Sequence, residues 1–402
     1  MTGRMIDVAI AGGGLAGGLV ALALHRARPE MRVVLFEQGD AIGGNHRWSW
    51  FGSDLTEEGH ALLAPFRKTE WEKGYDVEFP QHRRTLRTPY FSMASSDFHA
   101  GLLRQLPAEA VRLKTTVAAL DAEGVTLDNG ERIPARAVID CRSFEPSAHL
   151  EGGWQVFLGR HMRTAKPHGL SRPVIMDASV EQYAPAGNGG AYRFVYVLPL
   201  GVDELFIEDT YYADAPTLDR SALSSRIDQY CRRQGWEGDI IGNESGVLPV
   251  VSGGDFRAYQ AETGVPGVAT IGARGGFTHP LTSYTLPIAV DNALAIAEEA
   301  DLAGLQLGAL CDARARRHWG RTAFYRRLGQ MLFQAAEPHR RVGIFQRFYT
   351  LPEGLIERFY AARSTLWDKA RILIGKPPVP VSSAIAALLS RGSPLNPDKK
   401  NS

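Results

Sequence analysis

The chain has 402 residues, of which 44% are hydrophobic and 22% charged, the proportions of an ordinary soluble globular protein with a substantial core. The formal net charge is +1, so the composition excludes a general electrostatic attraction to nucleic acid. The three cysteines, Cys141, Cys231 and Cys311, are far apart and lack the spacing of metal ligands. We therefore expect a reducing compartment, no disulfides and no metal site.

The first predicted element is a short apolar strand, IDVAI at residues 6–10, followed by GGGLAGG and a helix-like segment, LVALALHRA. Gly12, Gly14 and Gly17 match the dinucleotide pattern G-x-G-x-x-G between a strand and a helix. The first glycine permits a tight turn, the second lets a pyrophosphate approach the backbone, and the third lets the helix pack closely on the sheet. Residues 8–24 are uncharged, but their five glycines and short length argue against a signal peptide or a membrane span, and we predict no transmembrane helix.

The second predicted strand, MRVVLFE, ends in Glu37, whose carboxylate is placed to accept hydrogen bonds from a ribose. A loop containing Gly43 and Gly44 follows, instead of another βα unit. This stretch resembles FAD-binding flavoproteins of the glutathione-reductase and hydroxylase type. The resemblance favours FAD over NAD as the bound cofactor.

A later segment, VATIGARGGFTHPLTSYTLPIAVDNALAIAEEA, resembles the strand, glycine loop and helix that lie against the flavin in such folds. Many of these folds have Gly-Asp at the end of that strand, and the aspartate contacts the ribityl chain. This chain has Gly272-Ala273-Arg274 there instead. Arg274 and the backbone N–H groups of Gly275 and Gly276 are therefore predicted to face the flavin or its phosphate.

The middle of the chain is rich in strand-like segments. A turn at 128–130 (Asp-Asn-Gly) predicts one hairpin, and the segments 193–198 and 204–207 predict another. The expected fold class is α/β: a Rossmann-like FAD-binding fold of the glutathione-reductase/hydroxylase type, with an inserted, mostly antiparallel β substrate domain and a helical C-terminal part. The predicted divisions are an FAD-binding domain at 1–75, 97–143 and 247–300, a substrate domain at 144–246 with 76–96, a helical part at 301–390 and a disordered tail at 391–402.

The segment LFIEDTYYAD, residues 205–214, places two acids inside a strand that otherwise has the composition of a buried one. Because successive side chains of a strand point to opposite faces, Glu208 shares a face with Phe206 and Tyr212, whereas Asp209 lies on the other face. Only one of the two acids is therefore expected to face a substrate chamber, and we assign that position to Glu208. The alternative is that both acids only end an exposed strand.

Charge is concentrated at the C-terminal end. From Arg321 to Ser402 there are 14 Lys+Arg and 5 Asp+Glu, a net charge of +9. Such a segment is either a solvated helical face or a docking surface for anionic lipid. If it docks on lipid, we expect Arg358, Arg363, Lys369 and Arg371 to contribute.

The sequence as a whole resembles the bacterial lycopene β-cyclases. Plant relatives have Phe-Leu-Glu-Glu-Thr where this chain has FIEDT, so Glu208 carries over directly, and Asp209 is a shorter acid than its counterpart. The resemblance covers nearly the whole chain and rests on these segments: GGGLAGG, GGNHRWSW, YRFVYVLPL, FIEDTYY, GVLPV, FTHPLTSYTLP, QRFYTLPEGLIERFY and ILIGKPPVPV.

This resemblance implies binding of FAD, its reduction by NAD(P)H, and cyclisation of both ends of lycopene to give β-carotene without net redox change. Ring closure requires a proton delivered to the terminal C1–C2 double bond, then loss of a proton from C6. An alkene is a poor base, so the acid must stay protonated and away from water, and burial of Glu208 meets that need. Asp209 is the second acid of the predicted catalytic pair.

Several residues near the presumed flavin loops are candidate walls of the substrate chamber: Trp48, Trp50, Phe277 and Tyr284. Their aromatic faces would stabilise a carbocation, although plain core packing explains such residues equally well. His279 could orient a carboxyl group or accept the final proton, or it is a structural histidine. Because lycopene and related carotenoids reside in the bilayer, we expect a peripheral protein on the cytoplasmic face of the cell membrane.

Two other functions fit the same fold. One is an FAD-dependent oxidoreductase, such as a prenyl reductase or an aromatic hydroxylase, which would consume reductant in proportion to product. The other is a prenyl-binding protein without flavin, which the Gly272-Ala273 departure leaves open.

Overall fold

The computed structural model describes residues 5–182, 192–332, 336, 338–374 and 392–395. The strands are β1 (Ile6–Ala11), β2 (Val33–Phe36), β3 (Arg47–Phe51), β4 (Thr69–Trp71), β5 (Tyr75–Phe79), β6 (His82–Leu86), β7 (Tyr90–Ala94), β8 (Val111–Arg112), β9 (Val117–Asp121), β10 (Gly124–Leu127), β11 (Arg132–Asp140), β12 (Leu150–Thr164), β13 (Val174–Asp177), β14 (Arg193–Pro199), β15 (Glu204–Ala213), β16 (Gly238–Gly254) and β17 (Ala269–Thr270). The α-helices are α1 (Leu15–Ala27), α2 (Glu57–Leu63), α3 (Ser95–Gln105), α4 (Arg220–Gln234), α5 (Phe256–Thr263), α6 (Leu286–Glu298), α7 (Gly304–Arg321), α8 (Ala323–Gln330), α9 (Pro338–Phe348), α10 (Glu353–Tyr360) and α11 (Leu366–Leu373).

The first sheet has the strand order β8-β2-β1-β11-β10-β9, and β17 pairs with β11. The pairs of β1 with β2 and with β11 are parallel, as a βα crossover requires. Helix α1 makes this crossover, and its residues 17–24 are buried because the helix lies between the sheet and α6. The predicted hairpin at 128–130 is confirmed as β10–β11, with φ of 85° at Gly130.

The second sheet has the order β16-β12-β15-β14-β13-β5-β6, and its neighbours are antiparallel except for β13 and β5. The other predicted hairpin is confirmed as β14–β15. Strand β15, which carries the acidic segment, lies between β12 and β14, so its backbone is paired on both sides. A small third sheet, β3-β7-β4, stands beside it.

The expected combination of a parallel sheet, an antiparallel sheet and C-terminal helices is confirmed. The predicted boundary between residues 246 and 247 falls inside β16, which runs unbroken through both proposed domains. Of the predicted tail, the described residues 392–395 pack on the protein: Pro394 bridges to Glu151, and Leu395 is buried. The rest of the tail and the KPPVPV segment lie outside the described residues.

Cys141, Cys231 and Cys311 are buried free thiols. Within the described ranges, no helix is long and apolar enough to cross a membrane. The same residues contain no group of three or more His, Cys, Asp or Glu side chains that could hold a metal ion.

The close approach of α1 to β1 generates a prediction about two of the motif glycines. A Cβ atom on Gly17 would lie 2.1 Å from the carbonyl oxygen of Gly12, whereas one on Gly14 would meet no atom within 4 Å. We expect Gly17→Ala to lower the free energy of unfolding by about 1–3 kcal/mol or more, because the helix must move off the sheet. Gly14→Ala, the matched control, should cost only a few tenths of a kcal/mol at this helix N-terminus. Chemical denaturation of both variants measures the difference, and equal stabilities would contradict the packing argument.

Candidate active site

A cavity of about 720 Å³ opens beside the turn between β1 and α1. Gly12 has φ of 102°, and a Cβ atom there would lie 2.7 Å from the carbonyl oxygen of Cys141. Gly14 lines the cavity with open space above it, and the N-terminus of α1 begins there. The three glycines therefore have the geometry expected of a dinucleotide motif: a tight turn, an open approach to the backbone and a close helix–sheet contact.

Glu37 follows β2 and lines the same cavity. Its two carboxylate oxygens accept hydrogen bonds from the N–H groups of Gly13, at 2.8 Å, and Gly39, at 2.7 Å. These bonds fix the carboxylate at the mouth of the glycine turn. Gly43 and Gly44 also line the cavity, with φ of 87° and 61°, and the Gly43 N–H donates to the carbonyl of Gly13.

The glycine loop at residues 272–276 contributes to the larger cavity in a different way from the one predicted. Arg274 lines the cavity, and its guanidinium contacts buried Asp140 at 3.1 Å and Glu145 at 2.6 Å. Gly275 and Gly276 are absent from the cavity wall, and their N–H groups donate to the carbonyls of residues 272 and 273 within the turn. The structure thus corrects the expectation for these two glycines: their donors are already used by the loop.

A second cavity, of about 220 Å³, lies against the face of the antiparallel sheet. It shares three wall residues, His46, Trp48 and Thr285, with the larger cavity, so the two are neighbours. Most of its other walls are aromatic or aliphatic side chains. Its lining consists of His46, Arg47, Trp48, Ser49, Gln155, Phe157, Ile175, Met176, Phe194, Tyr196, Glu208, Tyr212, Glu244, Leu248, Thr282, Ser283, Tyr284, Thr285, Leu286 and Tyr360.

Glu208 projects from β15 into this second cavity, as the strand alternation predicts. The carboxyl is partly buried because one side of it borders the cavity. Desolvation raises its pKa to about 7, with a smaller contribution from Asp209, against a hydrogen bond from Thr210. The Thr210 hydroxyl donates to Oε1 at 2.6 Å, which leaves Oε2 to carry the proton of the neutral acid.

Asp209 points to the opposite face and does not line the cavity. It is fully buried, and Arg193 donates to both of its oxygens through Nε, at 3.1 and 3.0 Å, and through Nη2, at 2.6 Å. Arg226 adds a further contact at 3.8 Å. Two consecutive acids therefore occupy opposite environments, one in a low-polarity wall and the other in an ion pair.

Tyr284 joins a chain of hydroxyl groups behind the second cavity. Tyr90 contacts Tyr284 at 2.9 Å and Tyr196 at 3.0 Å, and the Tyr196 hydroxyl donates to Ser49 at 2.7 Å. Burial raises the pKa of each of these three phenols, so they remain neutral. Trp48 and Tyr284 thus lie where the sequence predicts wall residues.

The other two predicted wall residues, and His279, lie elsewhere. Trp50 is 1% exposed and stacks on Phe91 in the core, and Phe277 lines the larger cavity instead. His279 is 2% exposed and lines neither cavity. Its Nδ1 accepts from backbone N–H groups, so Nε2 donates to the carbonyl of Phe359 at 3.1 Å, and burial lowers its pKa to about 4. This residue is a neutral, structural histidine, the alternative considered from the sequence.

Sequence reasoning missed Glu244 and Arg47, which line the same cavity as Glu208. Glu244 lies on β16, just before the apolar run GVLPVV, so the signal that identified Glu208, an acid inside a strand, is present there too. Arg47 adjoins the tryptophans of β3 and lies 5.4 Å from the ring centroid of Phe206. The sequence alone does not show that β3, β15 and β16, which are far apart in the chain, meet at one cavity.

Comparisons with known proteins agree with this geometry. The family model described as lycopene cyclase protein matches residues 7–386. The chain belongs to the lycopene cyclase family. It is 44% identical over 387 residues to a lycopene beta-cyclase of Pseudescherichia vulneris, covering 96% of this chain and 98% of the relative. It is 41% identical over 385 residues to a lycopene beta-cyclase of Pantoea ananas, with the same coverage of both chains.

Solved structures show the fold. A salicylate hydroxylase substrate complex has a TM-score of 0.56 at 16% identity and covers 90% of this chain and 99% of the hydroxylase. A flavin-dependent halogenase from Xanthomonas campestris has a TM-score of 0.54 at 12% identity and covers 98% and 100%. The predicted hydroxylase-type architecture is thereby confirmed.

The opposite environments of the two acids generate a stability prediction at pH 6. Asp209→Asn leaves Arg193 as a buried charge without its carboxylate, so we expect a loss of about 3–5 kcal/mol in the free energy of unfolding. Glu208→Gln, the adjacent matched control, replaces a largely neutral acid with a neutral amide and should not lower the free energy of unfolding by more than about 1 kcal/mol. Denaturant titration measures both, and a larger loss for the Glu208 variant would contradict the assignment.

Proposed function

We propose that this protein is a lycopene β-cyclase, an enzyme that isomerises both ψ-ends of lycopene to β-rings, giving β-carotene by way of the one-ringed γ-carotene. Family membership and relatives at 41–44% identity support the activity. The observation that carries the mechanism is the position of Glu208: a proton-bearing acid in a largely apolar cavity that shares a wall with a dinucleotide cavity.

FAD is the proposed cofactor of the larger cavity. The open backbone at Gly14, the N-terminus of α1 and the fixed carboxylate of Glu37 fit a pyrophosphate and a ribose. Arg274 would line the cofactor with a guanidinium that is already paired to Asp140 and Glu145. When bound and reduced by NAD(P)H, the flavin supplies negative charge that favours a nearby cation.

The first chemical step is assigned to Glu208. Its Oε2 proton is transferred to C2 of the terminal double bond, and the positive charge develops at C1. The C5–C6 double bond then closes the ring onto C1 and leaves the charge at C5. Desolvation makes the carboxyl both neutral and sufficiently acidic near pH 7, which is the balance that general acid catalysis requires.

The aromatic walls are suited to the cation. Phe157, Phe194, Tyr196 and Tyr212 line the cavity with Glu208, and each aromatic face that meets a cation contributes about 0.5–2 kcal/mol. Burial lowers the pKa of His46, so this imidazole is neutral and does not oppose the positive charge. The phenols of the tyrosine chain are neutral as well, so they do not capture the cation as phenolates.

The size of the cavity indicates how the substrate is held. Its 220 Å³ is below the roughly 300–1,000 Å³ usual for a drug-sized ligand. It therefore fits one end of a long hydrocarbon, and the remainder of the carotenoid extends out of the chamber.

A membrane contact at the cytoplasmic face, required to reach such a substrate, is proposed for α11. Leu366 and Trp367 are 82% and 83% exposed at its start. Of the four basic residues expected to dock, Arg358 pairs with Asp368 at 2.7 Å, and Arg363 donates to backbone carbonyls at residues 53 and 54. The surface we propose is therefore an exposed apolar pair beside Lys369 and Arg371, in place of a purely basic one.

The central experiment measures conversion of lycopene in liposomes by the purified protein with FAD and NAD(P)H, under anaerobic conditions. We expect β-carotene, without consumption of reductant in proportion to product. Stoichiometric oxidation of NAD(P)H would favour the oxidoreductase alternative, and a purified protein that binds no flavin would favour the prenyl-binding one.

The same assay tests Glu208. We expect Glu208→Gln to lower turnover by about 10²–10⁴-fold, because the amide cannot donate a proton to the alkene. For the wild type, kcat/KM should fall as the pH rises through about 7, since the ionised carboxylate is not an acid. A rate that is constant from pH 6 to pH 9 would contradict this assignment.

The raised pKa of Glu208 also predicts that the stability of the wild type falls as the pH rises. Because the pKa is about 7 in the folded protein and 4.5 ordinarily, ionisation of Glu208 destabilises the fold as the pH rises, by up to about 3 kcal/mol. Glu208→Gln should therefore gain stability relative to the wild type between pH 5 and pH 9. Thermal unfolding at both pH values measures the gain, and a variant whose advantage shrinks with pH would contradict the burial argument.

For the membrane contact, we expect Leu366→Ser combined with Trp367→Ser to weaken co-sedimentation with anionic vesicles by about tenfold or more, because two apolar side chains no longer enter the interface. Leu305→Ser is the control, a leucine on α7 that is 71% exposed. Unchanged binding of the double variant would refute this surface.

A further inference from the structure

A second carboxyl group lies on the same face of the sheet as the one assigned as the acid. In the antiparallel sheet, Gly159 of β12 pairs with Glu208 of β15 on one side and with Glu244 of β16 on the other. Residues directly opposite each other in such a sheet project from the same face, so both acids point the same way. Their Cα atoms are separated by two strand spacings, about 10 Å. Both side chains line the smaller cavity.

Gly159 leaves room above the central strand for two side chains, the ring of Phe206 and the stem of Glu244. A Cβ atom at this position would lie 2.9 Å from Cγ of Glu244 and 2.3 Å from the ring of Phe206. Glu244 therefore lies over the bare backbone of Gly159, on the side where Glu208 stands. Any larger residue would displace the Phe206 ring or the Glu244 side chain.

The charges around Glu244 allow it to exchange a proton with Glu208. Burial raises the pKa of Glu244, and the Glu208 carboxylate raises it further, whereas Arg47 lowers it. When Glu208 holds a proton, Arg47 favours the ionised form of Glu244. When Glu208 has lost its proton, the repulsion between two carboxylates favours protonation of Glu244.

We propose that Glu244 is a second catalytic residue of the cyclase reaction, the base that accepts the proton lost from C6 and returns it to Glu208. The inference rests on the proposed function. It assigns a role to the one other acid that shares the face of the sheet and the cavity with Glu208 among the described residues.

In one turnover Glu208 gives one proton to the substrate and receives one proton back. The carboxyl of Glu208 forms the new C–H bond at C2 and becomes a carboxylate, while the C5–C6 π electrons form the C1–C6 bond. Breaking the C6–H bond supplies the electron pair of the new C5–C6 double bond, and its proton goes to the Glu244 carboxylate. Transfer of that proton from Glu244 to Glu208 restores the starting state, with no electron gained or lost.

The position of a base determines which ring forms. From the C5 cation, loss of a proton from C6 gives a β-ring, loss from C4 gives an ε-ring, and loss from the C5 methyl group gives an exocyclic double bond. A base fixed in the sheet selects one of these protons. The distribution of ring isomers therefore reports on Glu244 separately from the overall rate and stability.

The test compares Glu244→Gln and Glu244→Asp with the wild type on lycopene in liposomes, with flavin absorbance and thermal unfolding recorded for each. We expect Glu244→Gln to lower turnover about 100-fold or more, and its residual product to contain ε-ring or exocyclic ends. Glu244→Asp retains a carboxyl that is one methylene shorter, and should recover at least about tenfold of the lost rate with a smaller share of abnormal rings. Asp239→Asn, an exposed acid on the same strand, is the matched control and should behave as the wild type.

The inference is overturned if Glu244→Gln forms only β-rings at the wild-type rate, or if the aspartate variant is as slow as the glutamine variant with normal flavin binding and stability. Should the glutamine variant not fold, the aspartate variant decides: slower turnover with abnormal rings supports the role, and wild-type behaviour overturns it. Failure of the wild type to cyclise lycopene would refute the proposed function itself, a result distinct from either of these.

Discussion

Desolvation of a single carboxyl group is the constraint on which the rest of this site depends. A carboxylic acid in water is ionised at neutral pH and cannot protonate an alkene, so the role proposed for Glu208 requires the protein to make the neutral form the stable one. The antiparallel sheet does this by placing Glu208 on an interior strand, under aromatic side chains and beside a cavity. The hydrogen bond from Thr210 opposes the shift and limits it, so the group remains acidic enough to react.

The pleat of the sheet allows two adjacent acids to behave in opposite ways. Glu208 faces the cavity, while Asp209, one residue later, faces two arginines and is held as a carboxylate. The nearby negative charge of Asp209 helps to keep its neighbour protonated. An ion pair that contributes to the fold thus also adjusts the chemistry on the other side of the same strand.

The local patterns in the sequence predicted the nucleotide end and the orientation of the acids well. The spacing of Gly12, Gly14 and Gly17 and the period of two around Glu208 are properties of neighbouring residues, which is why they can be read without a structure. Glu244 could not be placed in this way, because its position opposite Glu208 depends on the register of three strands separated by long stretches of chain. The sequence could not decide between the two roles considered for Trp50 and for His279, because an aromatic or imidazole side chain near a loop has the same sequence signature in a core as in a cavity wall.

The small chamber has a consequence for the order of events on a symmetrical substrate. A space of 220 Å³ encloses one terminus at a time, and only one face of the sheet carries the acid. Under the proposed function, a carotenoid whose first ring has closed must withdraw and reverse its direction before its second terminus can enter. Conversion of both termini therefore takes two separate binding events at one site. The one-ringed intermediate between them is free to dissociate.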